Sequence, residues 1–168
     1  LIFGAGVEKA ASGIWLAGVL AIVFMQILQY FACRRMREKL LPCDNEEVLQ
    51  IFEDCKTALR IQKKILLKTG AEQTMIVGIF RPVIYIKEDF HKDELKYVFM
   101  HELCHEKHKD VLFSLVAAVL MTIFWFNPVV WLAFWVFRRD LEVYCDDRAI
   151  KALGSRREYA RALVKSAA

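Results

Sequence analysis

Residues 95–110 read Leu95-Lys96-Tyr97-Val98-Phe99-Met100-His101-Glu102-Leu103-Cys104-His105-Glu106-Lys107-His108-Lys109-Asp110. Leu95, Val98 and Phe99 recur at helical spacing, and His91-Lys92-Asp93-Glu94 supplies a polar helix opening. On such a helix His101 and His105 are four residues apart, so both imidazoles fall on one face and can share one metal ion. Glu102 points to the adjacent side. A carboxylate there is not a ligand; it takes a proton from the water on the metal and passes it to a leaving amine. At ordinary residue frequencies a His-Glu-x-x-His match arises by chance in well under about one in a hundred chains of this length. The chain has four histidines, two of them in the motif. The competing reading is a helix carrying two solvated histidines. The stretch therefore predicts the zinc-binding helix of a metallopeptidase.

A catalytic zinc takes a third protein ligand and keeps one position open. Glu142 is the candidate, with Asp146 four residues on and therefore on the same helix face. A carboxylate at Asp146 can orient a ligating histidine through its other ring nitrogen. By itself such a pair is common on helix surfaces, but chain geometry favours a shared site. Val111–Phe126 is an uncharged run of about 24 Å as a helix, and Asn127-Pro128 ends it. Glu142 lies fourteen residues beyond Pro128, roughly 21 Å back along a second helix. An antiparallel hairpin returns it to the level of the histidines. His108 is the rival ligand, but three ligands on one straight helix splay too far for one tetrahedral ion. Cys104 reads as a small packed residue, and His91 as part of the turn before the helix, with no role.

Working outward, Val129–Phe137 is apolar and aromatic, Arg138-Arg139-Asp140 restores charge, and Glu142–Leu153 continues helically to Gly154. Upstream, Lys64–Thr69, Thr74–Phe80 and Val83–Lys87 read as short strands, with a turn at Thr69-Gly70 and Pro82 suited to an edge or a strand start. In zinc peptidases an edge strand often holds the substrate backbone extended; Met75–Phe80 is the candidate, ordinary core sheet being the plainer reading. Before it, Asp44 is expected to cap a helix through Lys56–Leu59, carrying Val48, Ile51, Phe52 and Cys55. The first strong signal is Ile14–Cys33, twenty uncharged residues matched to a hydrocarbon core of roughly 30 Å. Arg34, Arg35, Arg37 and Lys39 follow at once and place that end in the cytoplasm. A signal peptide would carry its positive charge before the apolar run.

Composition agrees. Hydrophobic residues make up 57% of the 168 residues, above the usual 45–50% or so of a soluble domain, yet 26% are charged, so the apolar excess is concentrated in segments. A net charge of +4 without a basic, aromatic-interleaved stripe argues against a direct nucleic-acid partner. Five cysteines without a Cys-x-x-Cys pair argue for a reducing compartment rather than a disulfide framework. The chain opens on Leu1, and a piece of a longer protein is expected. The expected fold is an α+β membrane protein: residues 1–13 extracytoplasmic, 14–33 a transmembrane helix, and 34–168 a cytoplasmic-facing zinc metallopeptidase domain that includes a membrane hairpin at 111–137.

Several blocks together carry a family resemblance: Gly78-Ile79-Phe80-Arg81-Pro82, the His101–His105 motif, Lys107-His108-Lys109-Asp110, Trp125-Phe126-Asn127-Pro128 with Trp131, and Arg139-Asp140-Leu141-Glu142 with Cys145-Asp146. In order and spacing, over roughly residues 40–165, the chain resembles the BlaR/MecR-type regulatory membrane metallopeptidases, the β-lactam sensor-transducer family. The resemblance implies a gluzincin-like site on the cytoplasmic side of a multi-pass cell-membrane protein. His101, His105 and Glu142 would hold Zn2+, Glu102 would be the general base and Asp146 the partner behind a ligating histidine. It implies a BlaI/MecI-like repressor, or the protein itself, as substrate, and the lipid bilayer and further membrane or sensor segments as partners. The chain carries no Ser-x-x-Lys motif and no penicillin-binding sensor domain, so the inducing signal need not be a β-lactam. Two other readings stand beside it: a non-catalytic membrane transducer with structural zinc, for which a carboxylate at Glu102 would have no use, and a housekeeping membrane protease of the CAAX or stress type. Tyr144, Arg139 and Tyr159 are candidates for stabilising an oxyanion.

Overall fold

The computed structural model describes residues 2–87, 92–157 and 159–160. In chain order the elements are α1 (Ile2–Arg37), β1 (Leu41–Pro42), α2 (Glu46–Ala58), β2 (Leu66–Thr69), β3 (Met75–Val77), β4 (Val83–Ile86), α3 (Lys92–His108), α4 (Asp110–Ile123) and α5 (Pro128–Leu153). The fold is mostly helical, with one small mixed sheet and one long apolar helix at the N-terminus.

The sheet has the order β1-β2-β4-β3. β2 runs parallel to β4, with Leu66 opposite Val83 and Leu67 opposite Ile84, while β3 runs antiparallel to β4, with Ile76 opposite Ile84. The chain does turn after Thr69, at Gly70 with φ 89°, but the strands on either side are not neighbours. β3 thus lies at the sheet's edge and stops at Val77, short of the expected Phe80. Gly78, at φ 102°, bends the chain away, and a Cβ there would stand 2.6 Å from the Arg81 carbonyl oxygen. Pro82 sits at the strand start, where its missing N–H costs no ladder bond and its carbonyl accepts from Leu66 N–H.

Asn45, not Asp44, caps α2. Its side-chain oxygen accepts from Glu47 N and Val48 N at 3.1 and 3.3 Å, a reach that only the residue directly before the first helical turn has. α2 turns Phe52 and Cys55 inward, and Phe52 meets Phe99 of α3 edge to face at 5.3 Å. Phe52, Phe99, Leu103 and Ile84 form the fully buried centre. Each contributes roughly 1.5–3 kcal/mol by leaving water. α3 is the hub: it packs on α2, on β3 and along α5.

α3 and α4 are separated by one residue. Lys109 adopts a left-handed conformation, φ 59° and ψ 36°, which ends one helix and redirects the next. At the far end Asn127 accepts from Val129 N at 2.9 Å and Pro128 occupies the first turn of α5, where a missing N–H is harmless. From there α5 is continuous for 26 residues to the left-handed Gly154. α4 and α5 therefore form the antiparallel hairpin that brings Glu142 back beside α3.

α1 is longer than the apolar run that announces it. Residues 2–13, expected as a flanking end, continue the helix, because Glu8-Lys9-Ala10-Ala11 favour helix and no proline intervenes. The segment Gly6–Arg35 is long and apolar enough to cross a membrane, with mean hydropathy 2.1. α1 leans on the hairpin tip: Trp15 Nε1 donates to the Ile123 carbonyl at 2.9 Å and Gln26 Nε2 to Thr122 Oγ1 at 2.9 Å. Gly18 lets the Trp125 ring lie against the α1 backbone.

Candidate metal centre

The packing of α3 on α5 brings three of the expected residues together. His105 Nε2 lies 3.1 Å from His101 Nε2, and Glu142 Oε2 lies 3.4 and 3.7 Å from those two nitrogens. One donor atom from each of the three falls within 4.8 Å of the others. Two nitrogens bound at about 2.0–2.1 Å to a tetrahedral ion stand about 3.3–3.4 Å apart. The donor set fits a zinc-sized ion with little adjustment.

Behind each histidine stands a carboxylate. His101 Nδ1 is 3.0 Å from Asp146 Oδ1 and 2.9 Å from the Tyr159 hydroxyl, which itself donates to Asp146. His105 Nδ1 is 2.8 Å from Asp110 Oδ2. With Nδ1 donating to a carboxylate, each ring turns the lone pair of Nε2 toward the common point. The electrostatics ask for a cation there. Burial would lower the His101 pKa, but hydrogen bonds to Asp146 and Glu142 outweigh it and push it up to about 10. The same hydrogen bond to His101 holds the Glu142 carboxyl below its ordinary range. Burial pushes Asp146 up, but its hydrogen bonds from His101 and Tyr159 prevail and leave it lowered.

Glu102 is 8% exposed and faces the same cleft. Burial is the largest influence on it and pushes its pKa up, against the pull of His101 and His105. The Ile76 backbone N–H donates to it and ties it to the edge strand. The cleft encloses about 560 Å³ between β3 on one side and α5 on the other, with Gln73, Thr74, Met75 and Ile76 along the first wall and Arg138, Leu141 and Glu142 along the second.

Other expectations fall elsewhere. His108 stacks edge-on against Tyr144 at 4.9 Å and takes no part in the cluster. Of the oxyanion candidates, Tyr159 lines the cleft, whereas Tyr144 and Arg139 do not. Cys104 is buried, as a packed residue should be. His91 lies outside the described residues. Asp110 is the residue sequence reasoning missed. It follows His105 by five, a spacing that a continuous helix would carry off the site, and only the left-handed Lys109 folds it back. A second possible ligand set, His105, Asp110 and Cys145, also converges within 4.8 Å. There the imidazole nitrogen is already committed to Asp110, and Cys145 is fully buried, so it fits an incoming ion less well than the cleft-facing set.

Fold and site together define a helical protein with a preformed place for a metal ion beside a buried carboxylate. The chain belongs to the BlaR1 peptidase M56 family, whose model matches residues 5–168. It is similar to the regulatory protein BlaR1 of Bacillus licheniformis, 29% identical over 152 residues, which are 88% of this chain and 25% of that protein. It is also similar to the methicillin resistance mecR1 proteins of Staphylococcus aureus strain Mu50 and Staphylococcus epidermidis, each 26% identical over 155 residues, 88% of this chain and 26% of theirs. The chain thus spans about a quarter of the length of these curated relatives.

Proposed function

We propose that this chain is the zinc-dependent endopeptidase unit, of the gluzincin type, of a membrane signal transducer, and that it cuts a cytoplasmic regulator such as a repressor, or the protein itself. The observation that carries the reading is the convergence of His101, His105 and Glu142 at the cleft, with buried Glu102 facing the same space. Membership of a peptidase family supports it, as do the regulatory and resistance names of the relatives.

In this reading His101, His105 and Glu142 hold the zinc. When bound, it supplies Lewis-acid chemistry, lowering the pKa of a coordinated water toward about 7 and polarising the substrate carbonyl. Asp146 with Tyr159 fixes the His101 ring, and Asp110 fixes His105. The outer edge of β3 pairs with the substrate backbone and holds it extended across the cleft. Glu102 accepts the proton of the attacking water and delivers it to the leaving amine. Its burial suits the task, because a carboxylate whose pKa is raised is a stronger base toward the attacking water.

The membrane arrangement follows from the same elements. α1 crosses the bilayer with Arg34, Arg35 and Arg37 on the cytoplasmic side. The α4–α5 hairpin lies beside it, with Trp15, Trp125 and Trp131 gathered near its tip and joined by indole hydrogen bonds. Large apolar side chains cover the hairpin's outer surface, among them Phe113, Leu120, Leu132 and Trp135. The protein is then multi-pass with its site on the cytoplasmic side.

Metal removal tests this reading. Membranes holding the full-length protein, treated with 1,10-phenanthroline, are expected to stop cleaving both the protein and a co-encoded repressor, and to recover when Zn2+ is returned. Cleavage that survives stripping of the metal overturns the assignment.

A further inference from the structure

The cleft holds a cation that the proposed chemistry does not use. Arg138 lies one turn before Glu142 on α5 and turns to the same face. It is exposed, it acts on Glu142 through space, and among the described residues it is the sole lysine or arginine lining the cleft. No salt bridge to it occurs among the described residues, although Arg34, Lys56, Lys63 and Lys151 all have one. Its neighbour Arg139 does not reach the cleft. Across from it, at the head of β3, Thr74 Oγ1 is buried without a hydrogen-bond partner among the described residues. A guanidinium that makes no salt bridge among the described residues thus stands in one wall of the cleft, opposite an edge strand able to align an extended chain.

We propose that Arg138 is a specificity residue of this cleft, binding an acidic side chain of the extended substrate close to the bond that is cut. The inference rests on the peptidase reading and names what that peptidase prefers. A guanidinium offers five donors in a fork that matches a carboxylate, and it carries no acceptor of its own. Distance sets the position. One helical turn separates Arg138 from Glu142, about 6 Å along the axis, which is about two residues of extended chain. The acidic residue therefore falls within about two residues of the scissile bond, on the side facing the base of the hairpin, where Val111 and Ser114 complete the lining.

The test reads binding, so it stands apart from catalysis. Full-length protein carrying Glu102→Gln is mixed with fluorescent decapeptide pools, randomised except for Glu, Gln or Lys fixed two residues to either side of the central bond. The Glu pool is expected to bind at least tenfold more tightly than the Gln pool. Adding Arg138→Gln should reduce that preference to less than twofold, and adding Arg138→Glu should transfer it to the Lys pool, with zinc content unchanged in both. Equal binding of the Glu and Gln pools overturns the proposal, and is the result expected if a phospholipid headgroup takes the guanidinium instead. A Glu preference that survives Arg138→Gln overturns it as well. Retained turnover in Glu102→Gln would strike at the peptidase reading alone, and a lost charge preference at this inference alone.

Discussion

Replacing Glu102 with Gln is expected to lower proteolysis by about 10²–10⁴-fold, the range that positioned general acid–base groups contribute. Gln keeps the size of Glu and can still accept the Ile76 N–H that holds the side chain in place. It cannot take up a proton. Because Glu102 is not one of the three converging donors, zinc should remain bound. The comparison is made on one preparation of the full-length protein: cleavage of itself or of a co-encoded repressor by immunoblot, zinc by mass spectrometry. Unchanged cleavage would leave Glu102 without a catalytic role and favour a transducer in which the metal only staples α3 to α5. Loss of cleavage together with loss of zinc would show that Glu102 supports the metal rather than the chemistry.

The second large effect concerns Glu142. Removing it takes away one of three donors and leaves two imidazoles on one helix, a pair that holds zinc weakly. Glu142→Ala is expected to fall below half a zinc per chain under conditions where the unchanged protein binds one, and to lose activity with it. The loss should exceed the roughly 10–100-fold in affinity that follows removal of a partner behind a ligand, such as Asp146→Asn. His108→Ala should leave the zinc content where it was, since His108 packs on Tyr144 instead. Competition with a chromogenic chelator ranks the three variants. The reverse order, with His108→Ala the most damaging, would mean that the ligand set has been misassigned.

Much of this centre was legible in the letters because it depends on helical periodicity. His101 and His105 share a face at any site on any regular helix, and Glu142 and Asp146 do the same. The return of Glu142 to the histidines followed from lengths alone, since two helices joined at Asn127-Pro128 bring fixed positions level. What stayed hidden depends on single backbone conformations and on contacts between distant elements. Asp110 reaches His105 through the left-handed Lys109, and no propensity marks a lysine for that conformation. Tyr159 lies thirteen residues beyond Asp146, past the end of α5 at Gly154, so its bond to His101 is a tertiary event. An edge place for β3 was one of two readings the letters left open, but the strand order that puts it there was not legible, because a parallel β2–β4 pair is not written in local pattern. The choice between Asp44 and Asn45 as a cap turned on one residue of register, finer than spacing can resolve.

Asp110 and Cys145 also frame the sharpest alternative to the proposed centre, since with His105 they form a second convergent set that contains sulfur. Zinc K-edge X-ray absorption on the purified full-length protein separates the two. Zinc held by His101, His105 and Glu142 predicts one ion per chain with a shell of nitrogen and oxygen at about 2.0–2.2 Å and no sulfur. A sulfur contribution at about 2.3 Å would place the ion at Cys145 and contradict the account.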